Sequence, residues 1–253
     1  MIMNIPSSSH CNAGNQSAFA LEHAPYEQPC YISKWLHHQS IPVKDVNLWN
    51  GDDLPEVEEV SFLIIMGGPM NIYEHEKYPW LIKEKRFIRS VIDSNIPVLG
   101  ICLGAQLISD VLGGAVTRLS YPEYGWISVS RTTHVTENLP FSSIIPSDLI
   151  VFQWHQDTFS IPPRAIHLFK SYICPNQGFI YNDTTVGLQF HPELDESDIR
   201  IFLELVEKDT EITHQDYPKD DIVQNISHYK RGNEFIDSLL TFLLNRNKTQ
   251  IPR

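Results

Sequence analysis

Long hydrophobic runs are missing: nothing in the 253 residues approaches the ~20 apolar residues of a membrane helix, so no membrane role is expected. Cysteine is scarce. The four present, Cys11, Cys30, Cys102 and Cys174, are scattered without a CxxC pair, which argues against a disulfide framework and a structural zinc site. Positive charge is also short, with 19 Lys and Arg against 31 Asp and Glu and a net charge of −12. An acidic surface repels phosphate backbones, so no nucleic-acid partner is expected. The opening MIMNIPSSSHCNAGNQS places no Lys or Arg ahead of a hydrophobic core and does not read as a secretory signal. A reducing cytoplasm is the expected compartment. Internal repeats and Gly/Ser linkers are absent, as is a GxxxxGK[ST] phosphate loop. No His, Cys, Asp and Glu stand at metal-ligand spacing, so neither metal nor cofactor is expected.

What is present is a regular alternation. Residues 1–16 are polar and read as a loose tail, with one domain over 17–253. Ala18–Leu21 reads as a strand, Tyr31–His38 as a helix and Val43–Leu48 as a strand. Phe62–Met66 is apolar on both faces, as a central parallel strand is. Trp80–Ile92 is amphipathic, with Leu81, Ile82, Phe87, Ile88 and Val91 as its apolar members. Pro97–Ile101 follows as a buried strand and Leu103–Leu112 as a helix ended by Gly113-Gly114. Strands alternating with helices predict an α/β fold: an open, mostly parallel sheet with helices on both faces. Short strand signals at Gly125–Val129, Leu149–Phe152, Ile166–Lys170, Phe179–Tyr181 and Val186–Phe190 predict a smaller antiparallel region. Helices are expected over Asp198–Glu207 and Glu234–Leu244, and the polar stretch Lys208–Gly232 fits either helix or loop.

Chemistry concentrates at Val98-Leu99-Gly100-Ile101-Cys102-Leu103-Gly104. This is strand, Gly-x-Cys-x-Gly, helix: a nucleophile elbow with Cys in place of Ser. Cys102 would sit at a helix N-terminus, whose partial positive charge favours a thiolate. Such a nucleophile needs a base, and the base needs an orienter. Among the 11 histidines, His191 stands out because it ends a strand and has Glu193 two residues on. Acyl transfer also needs preorganised N–H donors. Gly68, in the Gly67-Gly68-Pro69 turn after Phe62–Met66, and Leu103, the residue after the nucleophile, are placed to supply them.

The segments MGGPMNIYE, YPWL, PVLGICLGAQL, YGW, FQWHQDTF and GLQFHPE occur in this order. In them the chain resembles the class I (triad-type) glutamine amidotransferases, particularly stand-alone proteins similar to the glutaminase domain of GMP synthase. The resemblance implies a flavodoxin-like α/β fold, a Cys102–His191–Glu193 triad and an oxyanion hole at Gly68 and Leu103. It implies that Gly67, Gln106 and the stretch Trp154, His155, Gln156 and Asp157 contact the substrate. The implied reaction is attack of Cys102 on the side-chain amide of glutamine. One departure stands out: Gln156 occupies a position that is usually Gly, which would strain the backbone if φ there were positive.

Three functions follow from these residues. The first is a glutaminase whose ammonia passes to a separate synthetase subunit, since the 253 residues carry no ATP-cleaving domain. The second is a γ-glutamyl peptidase or hydrolase using the same triad on a γ-glutamyl compound. The third is a non-catalytic binding module of the same fold.

Overall fold

The computed structural model describes residues 17–208 and 217–249. The expected tail over 1–16 and part of the polar stretch after Lys208 lie outside them. Five parallel strands form one half of a nine-stranded sheet: β1 Ser17–Glu22, β2 Val43–Asn47, β3 Val60–Ile65, β4 Val98–Ile101 and β9 Thr185–Leu188. The other half is antiparallel: β5 Val116–Arg131, β6 Asp148–Phe159, β7 Ile166–Lys170 and β8 Gly178–Tyr181. The order across the sheet is β2-β1-β3-β4-β9-β8-β7-β5-β6. The helices are α1 Cys30–His38, α2 Trp80–Asp93, α3 Leu103–Val111, α4 Glu196–Lys208, α5 Lys219–Gln224 and α6 Tyr229–Thr249.

Burial on both faces explains the continuous apolar run of β3. Phe62 and Ile64 pack into a core shared with Ile32 and Leu36 of α1 and Phe235, Ile236 and Leu239 of α6. Leu63 and Ile65 point the other way, to Leu81, Phe87 and Ile88 of α2 and Leu107 and Ile108 of α3. Period-2 alternation therefore feeds two cores from one strand.

The antiparallel half is larger than its sequence signals suggest. Its two main strands pair from Val116↔Phe159 to Ser130↔Asp148, with a register shift between Arg118 and Glu123. That irregularity and the solvent-facing polar residues hide a 16-residue strand behind a five-residue apolar signal. A second difference lies in α2. Ile82 is 42% exposed, whereas Glu84 is fully buried. Positions 81, 84, 88 and 91 form the inward stripe at helical spacing, so Ile82 falls outside it and a carboxylate falls inside it. Among the described residues no helix is long and apolar enough to cross a membrane.

Candidate active site

The parallel strands end on one rim, where open α/β sheets bind ligands. Cys102 follows β4 directly and caps α3 with φ 50° and ψ −106°. A positive φ in a non-Gly residue is strain of about 1–3 kcal/mol, held only where the surroundings fix it. Here the Cys102 N–H donates to the Leu188 carbonyl at 2.8 Å, and α3 packs hard against β3. A methyl added at Gly104 would lie 2.1 Å from the Ile65 carbonyl oxygen, so only glycine lets the helix start this close to the strand.

His191 and Glu193 come from the segment just after β9. The His191 N–H donates to the Phe152 carbonyl at 2.9 Å, fixing the backbone against β6. The ring Nδ1–H donates to Glu193 Oε1 at 2.8 Å, with both side chains buried. Burial opposes the imidazolium, yet the Glu193 charge and hydrogen bonds to Cys102 and Glu193 carry His191 well above its ordinary pKa. The two groups expected to work with Cys102 are thus brought to it. Asn233 of α6 completes the support, its side-chain N–H donating to the carbonyls of Pro192 (2.9 Å) and Leu194 (3.2 Å).

Cys102 opens onto a cavity of about 510 Å³ that Gly68, Leu103, Gln106 and Trp154 also line. His155, Gln156 and Asp157 line it too. Gly67 lies beneath, its carbonyl taken by His23. Gln106 Nε2 donates to the Asp157 carbonyl (3.1 Å) and to Gln189 Oε1 (3.3 Å). Gln189 Nε2 in turn reaches Cys102 Sγ at 3.7 Å. The Asp157 carboxylate accepts from Asn71 Nδ2 at 2.7 Å and ties the MGGPMN turn to β6. Trp154 builds an aromatic wall with Tyr124 (centroids 4.7 Å apart) and Phe202 (5.0 Å).

Two positions behave differently from a simple pocket lining. Gln156 is in β6 and is not among the positive-φ residues, so the expected strain is absent, and its side chain instead accepts from Arg118. His155 borders the cavity with both ring nitrogens engaged, Nδ1 with the Asp157 carbonyl at 2.9 Å and Nε2 with Glu123 at 3.0 Å. Ligand atoms of Glu123, His155 and Cys174 also lie within 4.8 Å of one another. Their sequence separation hid that cluster. Ser171 and Gln177 also donate to the Glu123 carboxylate, and Cys174 Sγ bonds to Thr158 at 3.1 Å, so the cluster is a hydrogen-bonded brace behind the pocket.

Sequence reasoning missed Gln189, Asn233 and Glu27. Gln189 stands two residues before His191, the same short spacing by which Glu193 follows it. Glu27 lines the cavity as a half-buried carboxylate. Burial pushes its carboxyl up, the positive charges of His191 and His23 partly offset this, and Glu193 adds to the rise.

A cysteine on a strained strand–helix turn, beside a buried His–Glu pair at the rim of an α/β sheet, defines the class of α/β proteins built around a cysteine elbow. Comparison with known proteins narrows this. The family model "Glutamine amidotransferase class-I" matches residues 29–203. A glutamine amidotransferase-like protein of Salmonella typhimurium is 29% identical over 175 residues, covering 68% of this chain and 73% of the relative. The glutamine-hydrolyzing GMP synthase subunit of Methanococcus vannielii is 30% identical over 166 residues, covering 64% and 80%. The crystal structure of a glutamine amidotransferase from Thermotoga maritima superposes with a TM-score of 0.82 at 32% identity, covering 91% of this chain and 98% of that one. The chain belongs to the class I glutamine amidotransferases.

Proposed function

We propose that this chain is a cysteine amidohydrolase, folded as one amidotransferase unit, that cleaves the side-chain amide of glutamine through Cys102, His191 and Glu193. The observation that carries the reading is the buried 2.8 Å bond from His191 to Glu193 beside the strained Cys102 elbow. His191 draws the thiol proton while Glu193 fixes the ring tautomer. Cys102 Sγ attacks the carboxamide carbon, and the N–H groups of Gly68 and Leu103 receive the developing oxyanion. The C–N bond breaks as His191 returns the proton, and ammonia leaves. Water, deprotonated by His191, then opens the γ-glutamyl thioester to glutamate and free Cys102. Gln106 bonds to Gln189, whose Nε2 reaches the sulfur at 3.7 Å. No metal or cofactor enters this scheme. The relative from Methanococcus vannielii, a glutamine-hydrolyzing GMP synthase subunit, supports glutamine as substrate and a separate synthetase as recipient of the ammonia.

A second reading draws on the cavity. Its volume of about 510 Å³ is that of sites for drug-sized ligands, more than one amino acid fills. That room suits a γ-glutamyl compound with a larger amine, hydrolysed by the same steps.

The test is glutamate release from glutamine and from a panel of γ-glutamyl amides, with wild type and Cys102→Ala. Turnover lost in the variant supports the chemistry, and the preferred substrate decides between the readings. Failure of Cys102 to form a covalent adduct with a glutamine-analogue chloroketone would overturn both.

A further inference from the structure

Beneath the Gly67-Gly68 turn lies a second buried pair, His23 and Glu84. His23 follows β1, and Glu84 is the carboxylate on the inward stripe of α2. Both side chains are fully buried, with His23 Nε2 2.8 Å from Glu84 Oε1. Glu84 Oε2 has no hydrogen-bond partner among the described residues, so this carboxylate is committed to His23. On its other side His23 Nδ1–H donates to the Gly67 carbonyl at 2.9 Å.

That carbonyl shares a peptide unit with the Gly68 N–H. A trans peptide is planar, so its C=O and N–H point in opposite directions. Whatever holds the Gly67 oxygen inward therefore aims the Gly68 N–H outward, toward the cavity shared with Cys102 and Leu103. Packing around the turn is tight: a methyl added at Gly68 would meet Leu103 Cδ2 at 2.7 Å and His23 Cβ at 2.8 Å. Burial disfavours a charged His23, but the Glu84 charge and bond outweigh it and raise the pKa above the ordinary value. A charged donor also strengthens the bond it makes.

We propose that His23, backed by Glu84, is a positioning residue that locks the Gly67–Gly68 peptide with the Gly68 N–H facing the site of the oxyanion before substrate arrives. This rests on the assignment of Gly68 to the oxyanion hole made above.

The test uses two variants of nearly equal shape in the full chain, His23→Asn and His23→Leu. Asn keeps a donor near the Nδ1 position and Leu does not. With glutamine, H23L is expected to lose about 10²-fold in kcat with KM within threefold, the scale of a lost oxyanion contact. H23N is expected to stay within about fivefold of wild type. Alkylation of Cys102 by iodoacetamide passes through no oxyanion, so its rate is expected to be unchanged in both. Equal losses in H23L and H23N, a parallel loss of alkylation, or wild-type kcat in H23L overturns the proposal. If H23L does not fold, His23→Ala takes its place as the variant without a donor, with the same loss of about 10²-fold expected and wild-type kcat overturning the proposal. If wild type releases no glutamate from glutamine, the comparison moves to the γ-glutamyl amide it cleaves best or, with none cleaved, to structure. Crystal structures of wild type and H23L then test the lock, and an unturned Gly67–Gly68 peptide in H23L overturns it.

Discussion

Replacing Gly104 by Ala probes whether the close approach of α3 to β3 sets the geometry of Cys102. The added methyl would sit 2.1 Å from the Ile65 carbonyl oxygen and 2.7 Å from its carbon, about 1.3 Å inside the ordinary 3.4 Å contact. Both atoms are backbone in a central strand, so neither can swing away as a flexible side chain could. The start of α3 must retreat by about 1 Å, and Cys102 and the Leu103 N–H must move with it. A misplacement of that size costs about 10²-fold in rate. Overpacking also costs about 1–3 kcal/mol of stability, a fall in Tm of about 2–12 °C. The assay is steady-state glutamate release with calorimetry on the same samples. Gly113→Ala is the control, because its φ of 90° is strained while the nearest atom is 3.9 Å from the new methyl. It should lower Tm by a few degrees with kcat unchanged. A G104A enzyme with wild-type kcat and a Tm within 1 °C of wild type would refute the steric reasoning.

Glu193→Gln keeps the shape of the His191 partner but removes its charge, and kcat should fall by about 10²–10⁴-fold with KM nearly constant. An unaltered kcat would remove Glu193 from the triad. Asn233→Ala leaves the buried carbonyls of Pro192 and Leu194 without their donor, which should cost about 1–3 kcal/mol in denaturant unfolding and lower kcat as well. Gln156→Gly should leave kcat in place and destabilise by about 0.5–1 kcal/mol, since the strand there has no positive φ for glycine to relieve. Burial, then the Asp45 charge, push Glu22 up to about 7, with His23 pulling it partly back. The native state therefore holds more protons than the unfolded chain between about pH 4.5 and 7, and stability falls as pH rises through that window. Glu22→Gln should accordingly be more stable than wild type by about 1–2 kcal/mol at pH 8, after discounting for solvent screening, and level with it at pH 4.5. Parallel Tm-against-pH curves for the two proteins would contradict this.

The elbow was legible in the sequence because its constraint is local. Two glycines around one cysteine, between an apolar strand and an apolar helix, admit few other geometries. His191 and Glu193 were legible for the same reason, being two residues apart at a strand end. Glu84 was not seen because α2 was read by its apolar members, although a stripe through 81, 84, 88 and 91 passes straight through it. Its partner His23 is 61 residues away, a distance no local pattern spans. The brace of Glu123, His155 and Cys174 joins two strands and a loop, so it exists only once β5 and β6 are in register. The strain expected at Gln156 rested on the residue usual at that position, and its backbone has no positive φ for that strain to act on.

The bond from Asn233 to the turn after His191 also bears on the order in which a growing chain assembles this site. Translation delivers the cysteine elbow first, then the histidine turn, and the asparagine that steadies that turn only with α6. The thiol therefore leaves the ribosome before the residues that fix its surroundings, since Leu188, which holds the Cys102 N–H, and α6 both follow it in the chain. A chain cut upstream of α6 would carry the cysteine, the histidine and the glutamate with that turn left without its donor.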